Sequence, residues 1–181
     1  LIAPSTDHLS IENIEIFRKN NYWNYLKVLN PVGQLKENDS LLEAKNHFDK
    51  MKKNNVIKID DVLNFYIYQI ELGDHKQLGF LSLASIDDFK KKIIKAHEKI
   101  YENIKIERAE QMMNIQCQIG PIYVSYEPNK DIKKLILTQT SKTPAYNFEC
   151  FDNSVHKLWC VNDEVFVRDL ITMAKKINCF Y

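Results

Sequence analysis

The densest run of apolar and aromatic residues lies between Asn64 and Leu72, where Phe65, Tyr66, Ile67, Tyr68 and Ile70 crowd together, and a second run follows from Gln77 to Ala84. Aromatic and β-branched side chains suit a pleated, half-buried surface, and Gly73-Asp74-His75 between the runs supplies a reversal, so the pattern predicts a β-hairpin. Further along, Ile122 to Tyr126 reads as a buried strand, and Ala145 to Phe151 with Val155 to Val161 as two strands about an Asp152-Asn153 turn. Tyr25 to Leu29 alternates enough to predict a short strand closed by Asn30-Pro31-Val32-Gly33, and a final strand is expected from near Asn178.

Elsewhere the apolar period lengthens to that of a helix. Ser10 precedes Ile11, Ile14, Ile16 and Phe17, and its hydroxyl suits an N-terminal cap. Asp39 or Ser40 can cap a second helix that turns Leu41, Leu42, Ala44, Phe48 and Met51 inward. A short helix is expected around Asp87 to Lys92. A longer one, from about Asn103 to Gln118, turns Ile106, Ala109, Met112, Met113 and Cys117 inward and stops at Gly120-Pro121. Asp131 to Leu137 and Asp163 or Glu164 to Lys176 complete the set. Strands and helices intersperse without regular βαβ alternation, which predicts an α+β class with a mixed or antiparallel sheet and flanking helices in a single domain spanning 1–181.

Composition narrows the function classes. A net charge of +1, from 25 Lys and Arg against 24 Asp and Glu, offers no broad electrostatic footprint for nucleic acid. The basic runs at Lys50 to Lys53 and Lys90 to Lys92 read as solvated helix ends. Cys117, Cys150, Cys160 and Cys179 show neither CxxC pairing nor any His at zinc-site spacing, and read as thiols in a reducing cytoplasm. No apolar stretch is long enough for a membrane helix, so no membrane partner is expected. The oligomeric state is open.

No GxGxxG, GxxxxGK[ST], HExxH or GxSxG segment occurs among the residues. The pair His97-Glu98, in an expected loop after Ile93-Ile94, is the main chemical candidate. On the residues alone it reads as two polar side chains of a surface loop; set in a cleft, the carboxylate could take a proton from a substrate hydroxyl. His8, His47, His75 and His156 carry weaker signals, with His156 read simply as the start of a strand.

Taken in order, these segments resemble the bacterial and archaeal family called domain of unknown function 1015. The resemblance is carried by Ala3-Pro4-Ser5-Thr6-Asp7-His8-Leu9-Ser10, the Tyr-rich stretch to Tyr68, Gly79-Phe80, His97-Glu98 followed by Arg108, Gly120-Pro121-Ile122-Tyr123-Val124-Ser125-Tyr126, and His156-Lys157-Leu158-Trp159-Cys160-Val161-Asn162-Asp163. Family members continue beyond the position of Tyr181 into Ile-Ala-Asp-Gly-His-His-Arg, so the resemblance implies a chain truncated at the C-terminus. The pairing of His-Glu with that later turn is more distantly similar to free serine kinases of the ParB and sulfiredoxin-like superfamily. That likeness implies a kinase-like small-molecule phosphotransferase, with Glu98 as base, His97 in support and Arg108 at the substrate. It implies ATP or ADP with magnesium in a complete member, no cofactor in this chain, and a small-molecule substrate as partner. Ser5, Thr6, Ile100 and Cys160 depart from the family pattern and imply an inactive copy. The competing reading is a non-catalytic binding or protein-interaction module.

Overall fold

The computed structural model describes residues 10–29, 37–96 and 99–177. Its elements run α1 (Ile11–Asn20), α2 (Leu26–Leu29), α3 (Glu37–Lys53), β1 (Phe65–Leu72), β2 (His75–Leu81), α4 (Ile86–Lys90), α5 (Glu102–Ile115), α6 (Lys130–Thr140), β3 (Tyr146–Glu149), β4 (Val155–Val161) and α7 (Glu164–Ala174). The class is α+β, and the strands form one antiparallel sheet in the order β2-β1-β4-β3. The chain divides into two compact units, Leu1–Ile59 with Ile100–Pro121 and Asp60–Lys99 with Ile122–Tyr181. The expected strand near Asn178 falls outside the described residues.

The first unit is helical. Ser10 caps α1 as its hydroxyl accepts from the Asn13 amide at 3.2 Å. The segment predicted as a strand from Tyr25 to Leu29 is instead a turn and the short helix α2. Two asparagines explain the difference: Asn21 Oδ1 accepts from the Trp23 amide and Asn24 Oδ1 from the Leu26 amide, each at 2.8 Å, which starts a helical turn that five alternating residues cannot reveal. Leu26 and Val28 are fully buried, and Val28 packs with Ala44, Phe48 and Met51 of α3 and Ile115 of α5. Asp39 and Ser40, the expected caps of α3, lie within that helix.

Helix α5 turns a different face inward from the one predicted. Its buried residues are Gln111 and Ile115, while Ile106, Met112 and Met113 are exposed. Gln111 Nε2 donates to the carbonyls of Val28 and Leu29 at 2.7 and 2.9 Å, closing the free end of α2. The helix stops at Gln116, whose left-handed φ of 58° lets its amide reach the Met112 carbonyl at 2.8 Å, four residues ahead of the Gly120-Pro121 expected to end it.

The second unit holds the sheet. Gly73, at φ 56°, makes the tight turn that sets Leu72 opposite His75 and fixes the register of the hairpin predicted from the sequence. Strand alternation sorts the side chains into two faces. Phe65, Ile67 and Gln69 of β1 share one face with Lys157, Trp159 and Val161 of β4, and against it pack Ile132 and Ile136 of α6 and Phe166 and Leu170 of α7. Trp159 Nε1 also donates to the Lys142 carbonyl at 2.8 Å. The predicted strand Ile122 to Tyr126 does not join the sheet as a strand. Pro121 has no amide to donate and Ile122 and Tyr123 are exposed, so the segment contributes mainly through Tyr126, whose ring sits 6.3 Å from that of Phe80.

Candidate functional site

Every buried strand residue lies on the helix-covered face of the sheet: Ile67, Gln69, Trp159 and Val161. The opposite face carries Tyr66, Tyr68 and Ile70 of β1, His156, Leu158 and Cys160 of β4, Leu81 of β2 and Tyr146 and Phe148 of β3, all half-buried or exposed. On the edge strand β2, Gly79 stands opposite Tyr68, and a Cβ built on Gly79 meets no atom within 4 Å. The face is therefore an aromatic surface with a shelf beside Tyr68.

One histidine organises the polar part of this face. His156 stacks on Phe148 with ring centroids 5.1 Å apart and planes 4° from parallel. Its Nδ1 lies 2.5 Å from the Tyr68 hydroxyl and its Nε2 lies 2.7 Å from Ser154 Oγ. The turn before β4 supplies the rest: Ser154 is buried, and its hydroxyl and amide both reach Asp152 Oδ1, at 2.5 and 3.0 Å. Asn153 adopts a left-handed φ of 64°, and the Cys150 amide donates to the Ser154 carbonyl at 2.8 Å, holding the turn closed.

Proton counting orders the chain of hydrogen bonds. A serine hydroxyl has one proton, and Asp152, whose carboxyl is held below its ordinary range by the Ser154 hydroxyl and amide, is the ionised acceptor for it. Ser154 Oγ then accepts from His156 Nε2–H, and in a ring carrying that one proton Nδ1 accepts from the Tyr68 hydroxyl. Burial, with Cys150 nearby, raises the Tyr68 pKa and keeps that hydroxyl protonated. A histidine with its proton toward serine cannot act as the serine's base, so the trio does not make a hydrolase triad. What it makes is an imidazole held in place, with an aromatic partner.

His97 and Glu98 lie outside the described residues. Arg108 sits exposed on α5, where its guanidinium donates to the Leu29 carbonyl at 3.3 Å and to Gln111 Oε1 at 3.1 Å. The sequence reading passed over His156. A signal was present in Asp152-x-Ser154-x-His156, because an Asp caps a residue two further on in a turn and residues two apart on the strand that follows face the same way, but the Tyr68 and Phe148 contacts arise only from strand pairing.

Compared with known proteins, residues 1–181 match the model of a family described as Protein of unknown function (DUF1015). No curated protein matches, and no solved structure does. No described helix is long and apolar enough to cross a membrane.

Proposed function

The chain belongs to the DUF1015 family, and from that premise we propose that it is a binding module that holds a small, flat, hydrogen-bonding ligand on the aromatic face of its sheet beside Tyr68 and His156. The observation that carries this reading is the His156 network. A sheet face needs no fixed imidazole for folding, whereas a recognition site needs polar groups whose direction is set before the ligand arrives. Tyr66, Tyr68 and Phe148 offer ring faces for stacking, and the missing side chain at Gly79 leaves room for it. Cys117, Cys150 and Cys160 are free thiols, which favours a reducing compartment such as the cytoplasm.

The kinase-like phosphotransferase reading draws on His97 and Glu98, outside the described residues, and on Arg108, whose Nη1 donates to Leu29 and Gln111. Phosphoryl transfer depends on several groups converging on the phosphates. The described residues lend that reading no such convergence, so the binding reading is preferred.

The test is a ligand-observed NMR screen of a metabolite panel, run in EDTA with the wild-type chain, Tyr68→Phe and Gly79→Leu. Gly79→Leu fills the shelf at a position with ordinary φ and open space. Binders of the wild type should be lost in Gly79→Leu and weakened in Tyr68→Phe, with His156 ring signals shifting on binding. Binders indifferent to both substitutions would overturn the reading. So would magnesium-ATP turnover abolished by Glu98→Gln, which would place function elsewhere.

A further inference from the structure

The ligand reading uses the Tyr68 side of His156 and leaves the hairpin end unexplained. There Cys150, Asp152 and His156 each offer one donor atom, and the thiol sulfur, carboxylate oxygen and imidazole nitrogen all lie within 4.8 Å of one another. We propose that these three side chains form a binding site for one zinc-class divalent cation, with a fourth position left to water or a ligand.

Geometry comes first. Tetrahedral coordination with bonds of about 2.0–2.3 Å sets donor atoms roughly 3.2–3.7 Å apart, so a spread of at most 4.8 Å leaves about 1 Å for the side chains to close on an ion. The backbone is already fixed: Cys150 and Ser154 are tied amide to carbonyl at 2.8 Å, and the Asn153 amide reaches the Cys150 carbonyl at 3.0 Å. A preformed turn lowers the ordering cost of bringing three ligands to one ion.

Donor chemistry selects the metal class. Magnesium and calcium take oxygen ligands, whereas a set of thiolate, imidazole and carboxylate suits zinc or cobalt. The outer contacts fit as well. A metal-bound imidazole usually donates its other N–H to a nearby oxygen, and the Tyr68 hydroxyl stands 2.5 Å from Nδ1 in position to accept it.

The proton balance is complete. Binding through Nε2 moves the ring proton to Nδ1, from where it is donated to the Tyr68 oxygen, and the Cys150 thiol releases its proton to solvent. Ser154 gives up its bond with Nε2 and keeps the one to Asp152, whose second carboxylate oxygen is the metal donor. The metal-free hydrogen-bond chain thus keeps His156 beside the other two ligands, and the Tyr68 contact persists when the metal binds.

The experiment titrates the reduced full chain with zinc and with cobalt. The wild type should bind one equivalent and give tetrahedral cobalt bands together with a thiolate-to-cobalt charge-transfer band. Cys150→Ser should lose that band and weaken zinc binding by at least about tenfold, Tyr68→Phe should weaken it by about 10–100-fold, and Cys160→Ser should change neither. Should Cys150→Ser fail to fold, zinc protection of wild-type Cys150 from alkylation, located by peptide mapping, decides instead. A cobalt spectrum without the thiolate band, no protection of Cys150, or zinc affinity unchanged in Cys150→Ser would overturn the site. Because the ligand screen is run in EDTA, metabolite binding without zinc binding would remove this inference and leave the binding reading standing.

Discussion

At the scale of single residues, Gln111 and His47 show opposite ways of burying a polar group. Gln111 is 3% exposed and spends its amide protons on two carbonyls at the end of α2. Gln111→Ala therefore strands both acceptors. It should cost about 1–3 kcal/mol, read as a lower urea midpoint, and an unchanged midpoint would show that water satisfies those carbonyls instead. His47 buries its Nε2 without a hydrogen-bond partner among the described residues, beside the rings of Tyr22 and Trp23. Burial pushes its pKa down, as do Lys27 of α2, Lys50 of α3 and Arg18 of α1, while the Asn24 backbone carbonyl acts the other way. With a depressed folded pKa the unfolded chain binds more protons, so this group's contribution is present above the ordinary value of about 6.5 and is lost as pH falls below it. In His47→Phe the loss of stability between about pH 7 and 5 should flatten, whatever its absolute stability; an unchanged slope would assign that pH dependence to other groups.

At the scale of elements, the β3–β4 turn concentrates the most structure in the fewest residues. Asn153 holds a φ of 64°, where a Cβ is unfavourable and asparagine is among the better-tolerated residues. Asn153→Gly should be neutral or stabilising by up to about 1 kcal/mol, and Asn153→Val should destabilise by about 1–2 kcal/mol in thermal melts. The reverse order would show that the turn relaxes away from the left-handed region. This turn was legible in the sequence because Asp-Asn at a break between two β-type runs has a local cause, and so were the Gly73 hairpin, the Ser10 cap and the amphipathic α7. Less legible were elements whose cause lies outside the apolar pattern. Tyr25 to Leu29 became a helix through two asparagine side chains, and α5 chose its inward face by where α2 ended. The candidate site was half legible, since Asp152, Ser154 and His156 are close in sequence, whereas Tyr68 is 88 residues from His156.

At the scale of the whole chain, most core residues fall into two clusters of different construction. One is helix against helix, built on Val28, Ala44, Phe48, Met51 and Ile115. The other is sheet against helix, built on Ile67, Trp159, Val161, Ile132, Ile136, Phe166 and Leu170. Their chain segments interleave, because Ile100–Pro121 returns to the first unit after Asp60–Lys99 has contributed the hairpin to the second. Such interleaving is not written in local sequence patterns, because it arises when α5 closes on α2 and α3. Leu170 is 1% exposed in the second cluster, and Leu170→Ala should cost about 2–5 kcal/mol from lost burial and the cavity left behind. Hydrogen exchange locates that cost. Amides of β1 and β4, whose pairing forms the centre of the sheet, should lose protection in Leu170→Ala along with those of α6 and α7, because the helices and the covered sheet face share one core. Loss confined to α7, with β1 and β4 protected as in the wild type, would show that the sheet keeps its order without the helix, and that the aromatic face and the His156 network rest on strand pairing alone.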